Sequence, residues 1–175
     1  MKRLILRFLA LFVFIFSFSS SLFAENEKLN VFVSILPQKY FAEKLLGDAG
    51  VVDVLIGPGM SPHTYEPLPQ QMGRLSRADI FFTIGIPFEK VIVSRLKNLC
   101  PNLLIVASDK NVNKIPMIEH HHEEDSEPHD ENEAELDPHF WLDPLKALVM
   151  AENMANTFIS LRPELTEKIN TNLET

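Results

Sequence analysis

The hydrophobic pattern divides the chain into short apolar runs and longer stretches of helical spacing. "NVFVSIL" (30–36) is β-branched and apolar and predicts a strand. "PQKYFAEKLLGDAG" (37–50) follows, with Pro37 at a helix start and Gly47 as a stop. Tyr40 or Phe41, Leu45 and Leu46 supply its apolar positions. "VVDVLI" (51–56) predicts a second strand. "GPGMSPHTYEPLP" (57–69), with two glycines and four prolines, predicts a loop. A short helix "QQMGRLSRA" (70–78), a strand "DIFFTIG" (79–85), a proline-opened helix "PFEKVIVSRLKNL" (87–99) and a strand "NLLIVAS" (102–108) complete the series. After a polar stretch at 109–138, "DPLKALVMAENMANTFISL" (143–161) predicts a helix with Asp143 as N-cap and Pro144 at its first position. "PELTEKINTNLET" (163–175) begins another. Nearly all-apolar strands alternating with helices predict an α/β fold: a four-stranded, mostly parallel sheet flanked by helices.

The first 24 residues change the picture. "MKRLILRFLALFVFIFSFSSSLFA" has a basic start at Lys2, Arg3 and Arg7, an apolar core, a serine-rich stretch and a terminal Ala24. That is the pattern of a secretory signal peptide, so an exported, periplasmic protein is expected, with the globular part from residue 25 onward. The single cysteine, Cys100, leaves no intrachain disulfide and no lipid-attachment cysteine at the cleavage point. Without the three leader bases, 13 basic residues face 24 acidic ones, a net charge of −11. Such a balance argues against nucleic acid or anionic lipid as partner and is compatible with cations.

The candidate chemistry lies in histidines. His63, in "GPGMSPHTYEP", stands just past a predicted parallel strand, at the edge where ligands of open α/β sheets gather. Its flanking prolines restrict the backbone; taken alone, it reads more readily as an exposed loop residue without a role. His139, in "DPHFWLDP", lies beyond the fourth strand at the same predicted edge, and Phe140 and Trp141 are expected to pack the local backbone into the core. A ligating imidazole needs a partner on its second nitrogen. Glu66, Asp137 and Asp143 lie near enough in sequence, but solvation explains Glu66 and Asp137, and helix capping explains Asp143. From Glu119 to Asp137 there are ten acidic residues, no basic ones, and the histidines His120, His121, His122 and His129. This composition predicts a disordered acidic loop that binds metal weakly and in several ways, without a fixed site.

"SPHTYEPLPQQ" together with "DPHFWLDP" resembles the N-terminal half of the zinc and manganese substrate-binding proteins of ABC transporters, the ZnuA/TroA-like family. The likeness includes the opening "NVFVSILPQKYFAEKLLGD" and "RLSRADIFFTIG", and it covers residues 29–175. It implies that His63 and His139 match the first two metal ligands. The acidic, histidine-rich insertion is similar to that of zinc-specific members, which implies Zn(II), with Mn(II) as the alternative, and a membrane permease as partner. Family members have two lobes joined by a long helix, and the second lobe supplies the remaining ligands. On that pattern residues 25–162 are the N-terminal metal-binding lobe, residues 163–175 begin the linking helix, and a C-terminal lobe or a second chain is missing. Zinc prefers four ligands, so two histidines alone are expected to bind it weakly.

Binding rather than catalysis is therefore expected. A zinc hydrolase needs a third fixed ligand and a general base, and the chain has no HExxH and no nucleophile elbow. A surface adhesin has no sequence feature in its support. A truncated, non-functional remnant or fragment is the other reading.

Overall fold

The computed structural model describes residues 27–62, 65–117 and 136–175. The predicted signal peptide, His63 and the loop histidines lie outside the described residues. Four strands, β1 (Leu29–Val33), β2 (Gly50–Val54), β3 (Ile80–Thr83) and β4 (Leu104–Ala107), pair in the order β2-β1-β3-β4. Every pairing is parallel, where the sequence predicted a mostly parallel sheet. The helices are α1 (Leu36–Leu46), α2 (Pro69–Leu75), α3 (Pro87–Leu99), α4 (Pro144–Leu161) and α5 (Thr166–Leu173).

Side-chain alternation on the central strands builds two cores. Val31, Val33, Ile80 and Phe82 meet Leu45 and Leu46 of α1, Phe158 of α4 and Ile169 of α5 on one face. Phe32 and Phe81 meet Leu75 of α2, Ile92 and Leu96 of α3, and Phe140 on the other. Both faces are thus covered, which is why the strands carry almost no polar residues. Helix α4 buries Ala147, Met150, Ala151, Met154, Ala155 and Phe158, a stripe at three- and four-residue spacing. Asp143 caps it, accepting from the Leu145 amide at 3.0 Å. It stops at Arg162, the residue before Pro163, where the proline disfavours further helix.

The first helix ends at Leu46, and Gly47, its predicted stop, takes φ +56°, a conformation only glycine adopts easily. Other predicted boundaries shift: the second helix is Pro69–Leu75 where 70–78 was expected. The segment 163–175 is a single 3-10 turn, Pro163–Leu165, followed by α5. Helix α5 packs back on the lobe, with Ile169 buried, Asn172 donating to the Leu45 carbonyl at 2.9 Å, and Lys168 paired with Asp48. That ion pair holds the exposed Asp48 carboxyl below its ordinary range. No described helix is long and apolar enough to cross a membrane.

Candidate metal centre

The carboxyl edge of the sheet is closed by three side chains, each at the third position of a proline-opened helix. Gln38 of α1 is buried; its Oε1 accepts from the amides of Ser34 (2.9 Å) and Ile35 (3.1 Å). Its Nε2 donates to the Thr83 carbonyl (3.1 Å) and Ser108 Oγ (2.8 Å), tying the ends of β1, β3 and β4 together. Glu89 of α3 is only 4 % exposed and accepts from the amides of Ile84 (2.9 Å), Gly85 (2.8 Å) and Ile86 (3.1 Å), and from the Ser34 hydroxyl. Burial pushes its carboxyl up, and the Ser34 hydroxyl and the three amides pull it back part of the way. Gln71 of α2 accepts from the Leu68 amide and the Tyr65 hydroxyl, both at 3.1 Å, and donates to the Leu55 carbonyl at 3.0 Å. None of the three was singled out from the sequence. Their signal was a Gln or Glu two or fewer residues past the helix-opening proline, within the first turn of the helix; the serine or threonine N-cap of the usual capping box is replaced by an apolar residue.

On this platform sits the turn that carries His139. An antiparallel bridge joins Pro116 to Leu136, and the Asp137 amide donates to the Ile115 carbonyl at 2.8 Å. Asp137 Oδ1 then accepts twice from His139, from its backbone amide at 2.9 Å and from ring Nδ1 at 2.8 Å. A carboxylate oxygen only accepts, so Nδ1 carries the proton of this bond, and in the neutral ring Nε2 is left with its lone pair. The His139 side chain is 58 % exposed. The His139 amide first, and its ring second, hold the Asp137 carboxyl below the usual carboxylate range. This corrects one expectation: Asp137 is not merely solvated but orients the imidazole. Asp143 is the helix cap the sequence predicted, and Glu66 is exposed. A 3-10 turn, Phe140–Leu142, follows; Phe140 is buried, and the Trp141 ring lies 5.2 Å from that of His139.

His63 and Thr64 lie outside the described residues, but the ends of their loop are fixed. The Tyr65 ring meets Phe88 edge-on at 5.3 Å, and burial pushes its hydroxyl up. Tyr65, Phe140 and Trp141 all pack against one apolar cluster, so the residue two after His63 and the residues just after His139 share a foundation. His120, His121, His122 and His129 are also outside the described residues. Among the described residues no group of three or more His, Cys, Asp or Glu is arranged to hold a metal. His139, oriented by Asp137, is the one imidazole the described residues offer; further ligands must come from elsewhere for four-coordinate zinc.

The comparisons with known proteins decide the family. Residues 31–175 match the profile of ZnuA, the zinc-uptake complex component A, periplasmic. The chain belongs to this family. The zinc-binding protein AdcA of Streptococcus pyogenes is 26 % identical over 189 residues, covering 100 % of this chain and 36 % of AdcA. The high-affinity zinc uptake system protein ZnuA of Bacillus subtilis is 27 % identical over 142 residues, covering 81 % of this chain and 44 % of that protein. Crystal structures of ZnuA, one of them a zinc-bound deletion mutant, align with a TM-score of 0.71 at 32 % identity, over 85 % of this chain and 52 % of theirs. The chain thus spans between about a third and a half of the length of these relatives.

Proposed function

We propose that this chain is the N-terminal, metal-binding lobe of an exported zinc-binding protein that delivers zinc to the permease of an ABC uptake transporter. The observation that carries the reading is the Asp137–His139 pair. A carboxylate that fixes the Nδ1–H tautomer and leaves Nε2 free is the arrangement found behind ligating histidines, and it raises ligand basicity. His63, in the loop after β2, is the second ligand, and zinc is favoured over manganese. His120, His121, His122 and His129 collect ions weakly and do not form the main site. The role is binding, not catalysis. Exposed apolar side chains on the loops and turns of this edge, Met60, Leu68, Ile115, Leu136 and Leu142, and Leu145 in the first turn of α4 support a second lobe closing over it.

Calorimetric zinc titration tests the reading, using the chain and a variant lacking 119–135, which keeps the Leu136 bridge to Pro116. The variant is expected to keep one stoichiometric site, and His139→Ala or His63→Ala in that background is expected to weaken it by more than about 100-fold. Loss of all binding on loop deletion alone would move the site to the loop.

A further inference from the structure

We propose that Lys114 is the positioning residue that seats the His139 ligand, an inference that rests on reading His139 as a ligand. Three neighbouring residues hold the His139 turn at three points. Pro116 bridges to Leu136, the Ile115 carbonyl accepts from the Asp137 amide, and Lys114 Nζ lies 5.3 Å from the centre of the Phe140 ring. Among the described residues, Lys114 connects this strap to the sheet through side-chain hydrogen bonds. Its ammonium donates to the Ile84 carbonyl at 3.0 Å, at the carboxyl end of β3, and pairs with Asp109 Oδ2 at 2.5 Å. Ile84 belongs to the turn whose amides Glu89 holds, so one short segment is gripped by a buried carboxylate through its amides and by Lys114 through its carbonyl.

The side chains of Lys114 and Asp109 are only 10 % and 17 % exposed. A cation so withdrawn from water interacts strongly with both the carboxylate and the aromatic face. Room for it depends on Gly85: a Cβ there would lie 2.6 Å from Asp109 Oδ2 and 2.7 Å from Lys114 Nζ, and the residue takes φ +82°. An apolar residue at 114 would pack on Phe140 but could not reach the Ile84 carbonyl and Asp109 with hydrogen bonds. The Phe140 ring lies 5.9 Å from that of Trp141, which lies 5.2 Å from that of His139, so a shift of Phe140 reaches the imidazole through Trp141 and the shared backbone.

The chain's only tryptophan reports the outcome, because the Trp141 ring lies 5.2 Å from that of His139. Quenching of its emission by Co(II) reads metal at His139. Lys114→Met is expected to shift the metal-free emission, to raise the Co(II) concentration for half-quenching about tenfold, and Lys114→Arg to restore most of the affinity. A folded Lys114→Met protein that binds Co(II) like the unaltered chain would overturn the inference, since a purely stabilising lysine lowers only the unfolding temperature. If Lys114→Met does not fold, Asp109→Asn is read in the same way. His139→Ala separates the two claims: unchanged quenching in that variant sinks the ligand assignment itself, whereas lost quenching there with unaffected Lys114→Met sinks only the role of Lys114.

Discussion

The two histidine-bearing segments at the carboxyl edge are held in different ways. The 136–143 turn is fixed along its whole length: by the bridge at Leu136, the backbone and side-chain bonds of Asp137, the buried ring of Phe140, and the cap at Asp143. The 57–68 loop is held by different contacts at its start and its finish. A Met60–Gly57 backbone bond of 3.3 Å closes its start, and Tyr65 and Leu68 anchor its finish on Gln71. Nothing lies within 4 Å of where a Cβ would stand at Gly57 or Gly59. The difference assigns the larger packing contribution to the His139 side, where the Phe140 ring is buried.

Breaking the built turn has the largest expected effect. Phe140→Ala removes a buried ring and is expected to cost about 3–4 kcal/mol in denaturant unfolding. Tyr65→Ala on the loop side, where the ring is half-buried, is expected to cost about half as much. A Tyr65 effect equal to that of Phe140 would erase the contrast.

Next comes the platform beneath both segments. Glu89→Gln replaces one of two acceptor oxygens by an NH2 group that faces the same three amides and the hydroxyl, and is expected to cost about 2 kcal/mol at neutral pH. The pH dependence has a definite sign. Because burial raises the Glu89 carboxyl above its ordinary value of 4.5, the folded state holds its proton longer than the unfolded state. Its contribution to stability therefore falls as pH rises from about 4.5 through the raised value, and this slope is absent in Glu89→Gln. Unfolding curves recorded from about pH 4 upward read the slope directly.

Smaller effects follow. Asp137→Ala frees the imidazole to rotate and change tautomer, and zinc affinity is expected to fall about tenfold with little change in unfolding temperature. Gln71→Ala unfastens the finish of the 57–68 loop and is expected to cost about 1 kcal/mol, with a zinc affinity less affected than in Asp137→Ala. A reversed order of these two in zinc titration would mean that the loop, not the turn, sets the geometry.

Much of this fold was legible because proline and glycine punctuate it. Pro37, Pro69, Pro87 and Pro144 stand in the first turns of four helices, and Gly47 ends one. Strand ends were read too long for a physical reason. The amides of Ser34 and Ile35 go to Gln38, and those of Ile84 and Gly85 go to Glu89, so apolar residues that look like strand leave the sheet. The Asp143 cap follows from local spacing. The orienting role of Asp137 lies two residues from His139 and was within reach, but the carboxylate's solvated alternative looked sufficient. Lys114 was out of reach: its partner Ile84 is 30 residues away, and no local pattern announces a lysine folded under a phenylalanine.

The most direct test is to observe the His139 ring itself. Two-dimensional proton–nitrogen NMR of the histidine side chains, at one equivalent of zinc, separates its two nitrogens from those of the other five histidines. The account predicts a protonated Nδ1 and a Nε2 resonance moved by zinc, with His63 moving in step. A His139 ring untouched by zinc while the histidines of the 119–137 segment shift would contradict it.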